Sequence, residues 1–276
     1  MHHLSSRLAS RLSSRLASRL VTGLSTGLAL AALLLLPFRA EAQQGRGGRG
    51  QAATPQTGKA AAPFDPSGYW VSMITQNWRL RMFTPAKGDY LGLPLTPAAK
   101  KLADDWDPSK DEAAGLQCRA YGAANIMYMP ERLHIAWQDD NTLRMDIDAG
   151  TQTRLFHFGK PAPSDKPSWQ GDSVAAWEAH RGAEIAPSNA QSKYLKVTTT
   201  RMLSGYVRKN GVPYSENAVL TEYYDFAPEA GGSPMLFVTT IVEDPVYLDN
   251  PLILTAQFKK QTDATGWDPT PCSARW

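Results

Sequence analysis

Apolar and polar positions alternate along much of the chain with the two-residue period of half-buried strands. Leu133, Ile135 and Trp137 alternate with His134, Ala136 and Gln138. Asp139-Asp140-Asn141 supplies turn formers, and Leu143, Met145 and Ile147 then alternate with Thr142, Arg144, Asp146 and Asp148. This pattern predicts a β-hairpin with one face toward a core. Further strand-like runs, rich in Val, Ile, Thr, Tyr and Phe, cover 69–75, 78–83, 125–129, 152–158, 194–202, 218–226, 235–242 and 252–259. In 235–242, Leu236, Val238 and Val242 share one face while Met235, Phe237 and Ile241 share the other. A strand apolar on both faces predicts a sheet covered on both sides. Helical signal is concentrated at Thr96, a good N-cap, with Pro97 at the first helical position and Ala98–Asp105 following. Asp107-Pro108 breaks that helix, and 110–116 predicts a second. The fold expected is mainly β: an antiparallel meander barrel, lipocalin-like, or a β-sandwich, of about ten strands with two short helices.

The pattern changes at the N-terminus. Ser5–Leu12 reads SSRLASRL and Ser13–Leu20 repeats it, placing an arginine at every fourth residue. An apolar block densest at Leu28–Leu36 follows, then Ala40-Glu41-Ala42. A basic region, a short apolar core and an A-x-A site predict a cleaved signal peptide over 1–42, hence a periplasmic or secreted protein. Thr22, Gly23, Ser25, Thr26 and Gly27 interrupt the apolar run, which falls short of the ~20 residues of a membrane span. Residues 43–63, QQGRGGRGQAATPQTGKAAAP, lack the apolar content to offset ordering entropy and predict a disordered linker. Its G-x-G-x-x-G spelling has no strand before it and no helix after it, so it is not a dinucleotide loop. The remainder, 64–276, predicts a single β-rich domain holding all eight tryptophans and all ten tyrosines.

Charge follows the same division. Of 29 basic and 26 acidic residues, five arginines and one acid belong to 1–42, leaving 24 and 25. The chain from residue 43 onward, of net charge −1, has no electrostatic bias toward nucleic acid or anionic membrane. The two cysteines, Cys118 and Cys272, are expected to pair in an oxidising compartment and to fasten a Pro-rich tail.

Four blocks resemble a family of exported bacterial proteins of unassigned function, recognisable by a run like P-T-W-x-G-H-S-x-G-x-W-E-G-D-T-L-V-V-D-T. They are Pro167–Glu178 followed by Leu195–Thr199, Gly211–Glu216, Thr221–Tyr224 and Thr240–Tyr247. Asp172 and Tyr214 stand where that family tends to have histidine, and Thr198 where it tends to have Asp. The resemblance implies an exported β-rich domain. Gly68-Tyr69-Trp70 is weakly similar to the lipocalin G-x-W.

Candidate chemistry is sparse. Gly171-Asp172-Ser173-Val174-Ala175 misses a nucleophile elbow by one residue, and a β-like segment follows it rather than a helix. His134, His157 and His180 form no metal-ligand spacing, so no metal and no cofactor is expected. Aromatic supply is the most suggestive feature, because small-molecule cavities are mostly apolar with a few polar groups. The leading expectation is an exported protein binding an apolar or aromatic small molecule in a barrel cavity lined by Trp169, Trp177, Tyr214 and Tyr223, with Arg154 for polarity. Glu222 and Tyr223 cannot both face inward in a regular strand, and the desolvation cost of a carboxylate favours Tyr223. An inward Glu222 requires a partner, Arg154 or a histidine. That arrangement suits the alternative, a cofactor-free isomerase, cyclase or hydrolase using His134 or His157 with Glu222. The third reading is a structural envelope-associated module, which a filled barrel interior favours.

Overall fold

The computed structural model describes residues 56–159, 164–179, 193–227 and 232–275. The expected signal peptide, the expected linker as far as residue 55, and His180 lie outside the described residues. Eleven strands are described: β1 (Gly68–Met73), β2 (Arg132–Asp139), β3 (Thr142–Ile147), β4 (Gln152–Phe158), β5 (Asp172–Ala179), β6 (Lys193–Thr200), β7 (Gly205–Arg208), β8 (Val212–Tyr214), β9 (Val219–Ala227), β10 (Met235–Glu243) and β11 (Leu252–Lys260). Four short helices accompany them: α1 (Trp78–Met82), α2 (Pro97–Asp104), α3 (Pro108–Ala113) and α4 (Ala123–Ile126).

Nine strands close a barrel in the order β1-β11-β10-β9-β6-β5-β4-β3-β2, while β7 and β8 pair as a separate hairpin. A ring of nine strands cannot alternate direction all the way round, so one neighbouring pair must be parallel. That pair is β4–β5, in register from Phe156↔Ser173 to Phe158↔Ala175. About a dozen residues separate the two strands in sequence, the length a parallel connection needs. The predicted hairpin is β2–β3, with Ile135 opposite Met145 and Leu133 opposite Ile147. Alternate residues of each strand fill the interior: Trp70, Leu133, Met145, Phe156, Val197, Leu236 and Phe258 are 0–1 % exposed. Burying such side chains contributes ~1.5–3 kcal/mol each.

Some strand-like runs fold otherwise. Residues 78–83 place α1 where a strand is expected, entered from Asn77 in the left-handed region at φ 52°. Trp78 and Met82 stay exposed and Arg81 is the buried side chain, so the apolar spacing there misreports the inward face. Asn125 and Ile126 of the 125–129 run belong to α4, which is itself buried throughout; so short a run does not distinguish helix from strand. The two expected helices form as α2, capped by Thr96 Oγ1, and α3, capped by Asp107. The outer face of β10–β11 is not covered by the rest of the described chain, since Phe237 and Ile253 are exposed.

The two ends of the barrel close differently. The mouth, at the 139–142 turn, is covered by residues of the expected linker. Gly58 N–H donates to Asn141 Oδ1 (2.9 Å), Lys59 N–H to the Asp140 carbonyl (2.9 Å), and Trp177 Nε1 to the Gly58 carbonyl (2.8 Å). Phe64 packs on Trp177 and Phe226 at ring-centroid distances of 5.3 and 4.1 Å. Residues 57–63 are therefore part of the ordered domain rather than a tether. The floor is covered by α1–α4, the β7–β8 hairpin and a second apolar cluster including Ala123, Met202, Val212, Tyr214, Leu220 and Leu248. The C-terminal tail crosses this end, held by the Cys118–Cys272 disulfide (Cα–Cα 5.1 Å) and by Thr270 N–H donating to the Asp148 carbonyl (3.0 Å).

Candidate functional site

Two polar constellations follow from this architecture, one inside the barrel and one outside it. Inside, alternation along β9 turns Leu220, Glu222 and Tyr224 inward, each 0 % exposed, and leaves Thr221 and Tyr223 on the outer wall. Glu222 meets Arg154 of β4 in a two-pronged pair, with Nη1 donating to Oε1 (2.8 Å) and Nη2 to Oε2 (2.5 Å). Tyr224 OH donates to Glu222 Oε1 (3.1 Å) and accepts from Arg154 Nη1 (3.1 Å). Thr199 Oγ1 accepts from Arg154 Nη2 (3.4 Å) and bonds Ser173 Oγ (2.7 Å). Burial opposes the charge of Arg154, but Glu222 and Tyr224 outweigh it and raise its pKa above the ordinary value. Burial likewise pushes the Tyr224 phenol well up. Both members of the pair are wholly inaccessible, so this network specifies the interior and does not present itself to a ligand.

The expected inward Tyr223 is thus corrected. It lies on the outer wall, edge-on to Tyr194 at 5.4 Å, because its strand register gives the inward positions to Glu222 and Tyr224. His134 and His157 are also outer-wall residues. His134 stacks on Tyr69 at 4.4 Å, and His157 Nδ1 bonds Thr142 Oγ1 at 3.3 Å. Neither joins Glu222, because the barrel wall separates them. Trp177 is at the mouth, Tyr214 under the floor, and Trp169 beside α4, where its carbonyl accepts from Ala123 N–H (3.0 Å). The expected ligand cavity of Trp169, Trp177, Tyr214 and Tyr223 is therefore not assembled. Arg154 is brought together with Glu222.

Outside, beneath the floor, a cleft of about 360 Å³ lies between the α2–α3 region and the β7–β8 hairpin. Its lining includes Trp106, Asp111, Arg119, Tyr206, Tyr214 and Tyr247. Asp107, capping α3 through Ser109 N–H, sets Trp106 and Asp111 on either side of the helix start. The hairpin turns at Asn210-Gly211, where Gly211 has φ 83° and the Trp106 ring leaves no room for a Cβ. Asp111 organises the wall: Oδ2 accepts from Tyr206 OH (2.7 Å) and Trp106 Nε1 (3.1 Å), and Oδ1 accepts from Arg119 Nη1 (2.9 Å). Arg119 Nη1 also donates to Tyr206 OH (3.1 Å). Burial, reinforced by the Asp111 carboxylate, pushes the Tyr206 phenol up to about 12, so it remains a neutral donor at physiological pH. Tyr214, 0 % exposed, has a hydroxyl without a hydrogen-bond partner.

Sequence reasoning misses Trp106, Asp111, Arg119 and Tyr247. One legible signal was Lys209-Asn210-Gly211 between Tyr206–Arg208 and Val212–Tyr214, a three-residue, Gly-containing hairpin connection that places Tyr206 and Tyr214 on one short ribbon. Among the described residues no group of three or more His, Cys, Asp or Glu side chains could hold a metal ion, and no helix is long and apolar enough to cross a membrane. Compared with known proteins, the chain matches no family model, no curated protein and no solved structure.

Proposed function

We propose that this is an exported small-molecule binding protein, and that its ligand, an aromatic or otherwise apolar planar compound, occupies the cleft beneath the barrel floor. The observation that carries the reading is the Asp111 carboxylate, which fixes Trp106, Tyr206 and Arg119 around one concavity. A site whose aromatic walls are held by such bonds is preorganised, and little ordering entropy opposes binding. The cleft's volume lies in the range of small-ligand sites, roughly 300–1,000 Å³. Export rests on the basic and apolar leader with its A-x-A site, and implies a periplasmic or secreted location.

The groove at the mouth, about 470 Å³, is the competing location and contains Trp177. Its main aromatic faces are already engaged, Phe158 with Trp177 and Trp177 with Phe64. The packed barrel interior supports a second reading, a structural envelope module without a ligand. Native mass spectrometry of protein purified from its own host, followed by saturation-transfer NMR with indole and benzoate, separates these. A guest retained by wild type and by Trp177→Ala, but lost from Trp106→Ala and Tyr206→Ala, is the expected result. Loss from Trp177→Ala alone moves the site to the mouth. No guest and no saturation transfer supports the structural module.

A further inference from the structure

A second, much smaller space lies under α1, away from the cleft. Arg81 of α1 is 1 % exposed. Its Nε donates to the Tyr128 carbonyl (2.8 Å), and its guanidinium lies over the Tyr128 ring at 4.8 Å. Neither Nη1 nor Nη2 has a hydrogen-bond partner. A guanidinium keeps its proton in a protein, so this is a permanent buried cation. The space beside it is about 10 Å³ and is bordered also by Arg208, Lys209, Asn125 and Tyr128. Among the described residues no aspartate or glutamate borders it. Arg208 is occupied by neutral carbonyls, those of Asp89 and Leu91. Burial lowers the Lys209 pKa to about 8, which leaves much of its charge in place at neutral pH.

The acid that acts on Arg81 is Glu131, 5 % exposed. It does not supply the missing anion. Both its oxygens lack a hydrogen-bond partner. Burial first, and Asp148 second, push its pKa well above the carboxylate range, against the pull of Arg81 and Arg154. A buried cation with two orphaned donors and no bordering carboxylate among the described residues calls for an anionic guest, because an unpaired buried charge is costly.

We propose that the space between α1, α4 and β7 is a binding site for one monatomic anion, chloride in the exported setting, held by Arg81 Nη1 and Nη2. The size limits the class to a single-atom anion. A space of about 10 Å³ is near the minimum for a single water-sized guest, and a carboxylate or sulfate needs several times that. The site shares no lining residue with the cleft and does not depend on the function proposed for it.

The test uses crystals of the leader-free chain grown with sodium bromide in place of sodium chloride. An anomalous peak within hydrogen-bonding distance of the Arg81 guanidinium is expected. A water there with bromide bound elsewhere, or a Glu131 carboxylate swung onto Arg81, overturns the proposal. In solution, replacing gluconate by chloride or bromide at constant ionic strength should raise Tm saturably, by roughly a few degrees. Arg81→Met should abolish that rise. Equal Tm in chloride and gluconate overturns the proposal, and if Arg81→Met does not fold, the wild-type bromide map decides.

Discussion

The two ends of the barrel solve one problem with opposite chemistry. At the mouth, the 57–64 segment lies over Trp177, Phe158 and Phe226, and its few backbone bonds are made at the solvent edge. Toward the floor, the interior holds Arg154, Glu222, Tyr224 and Glu131, with Arg81 below them. An apolar closure is tolerant, because each contact is small and nearly independent of the next. A buried charged closure is not. Each member depends on its partner, and an interior that excludes water turns a missing partner into a large penalty.

Breaking the ion pair should have the largest effect. Arg154→Met leaves Glu222 buried with one phenol as donor, and should cost ~3–5 kcal/mol. The double variant Arg154→Met with Glu222→Leu should recover much of that loss, because two apolar side chains replace two desolvated charges. Urea unfolding of the two variants measures both. Equal destabilisation in the single and the double variant would show that the pair does not act as a unit. At the mouth the matching change is Phe64→Ala. It removes the contacts to Trp177 and Phe226 and should cost about 1–2 kcal/mol. A loss as large as that of Arg154→Met would erase the distinction between the ends.

The contrast was partly legible in the sequence. The period-two alternation of β2 and β3 and the Val-, Ile-, Thr- and aromatic-rich runs of β9, β10 and β11 identify the barrel walls, and the even cysteine count identifies the staple across the floor. The pairing of Arg154 with Glu222 was legible as a condition: an inward carboxylate had to find that arginine or a histidine. What was hidden is which of two adjacent residues faces in. Glu222 and Tyr223 are equally compatible with a strand, and the choice is made by cross-strand register, Glu222 opposite Val197 and Thr240. Arg81 was hidden for a related reason. In α1 the local spacing of Trp78, Leu80 and Met82 imitates a strand, and tertiary packing against Tyr128 turns the arginine inward instead. The cleft was hidden because its residues come from α3, a 3₁₀ turn and the β7–β8 hairpin, distant in sequence and without a shared spacing.

A pH experiment sharpens the comparison. Glu131 sits among Asp148, Arg81, Arg154 and Glu222, with its pKa raised well above 4.5 in the fold, chiefly by burial. Above that value the native state keeps a proton that the unfolded chain has lost, so it binds more protons than the unfolded state. Stability attributable to Glu131 is then full below the unfolded pKa and declines as pH rises toward the folded one. Glu131→Gln is neutral throughout and should flatten the decline that sets in above the ordinary carboxylate range. The two proteins should converge at the acid end. Chemical denaturation from the acid end upward reads the slope, and parallel curves would mean that Glu131 ionises freely in the fold.

The smallest effect is expected at Tyr214, which belongs both to the apolar cluster under the floor and to the cleft. Its ring is fully buried, but its hydroxyl has no partner, and burial holds the phenol neutral far above physiological pH. Gly122 and Gly205 pack directly against that hydroxyl, and a side chain at either position would collide with it. An orphaned buried donor costs the fold ~1–3 kcal/mol, so deleting it should not destabilise. Tyr214→Phe is accordingly expected to unfold within about 0.5 kcal/mol of wild type or to be more stable by up to ~1 kcal/mol. The same variant reports on the cleft. If a guest accepts a hydrogen bond from Tyr214, its retention in native mass spectrometry should fall in Tyr214→Phe while stability holds. If the guest is held by Trp106 and Tyr206 alone, retention should be unchanged. A clear loss of stability in the absence of any guest would mean that the hydroxyl has a partner, such as an ordered water, and that the floor is more polar than the side chains alone make it.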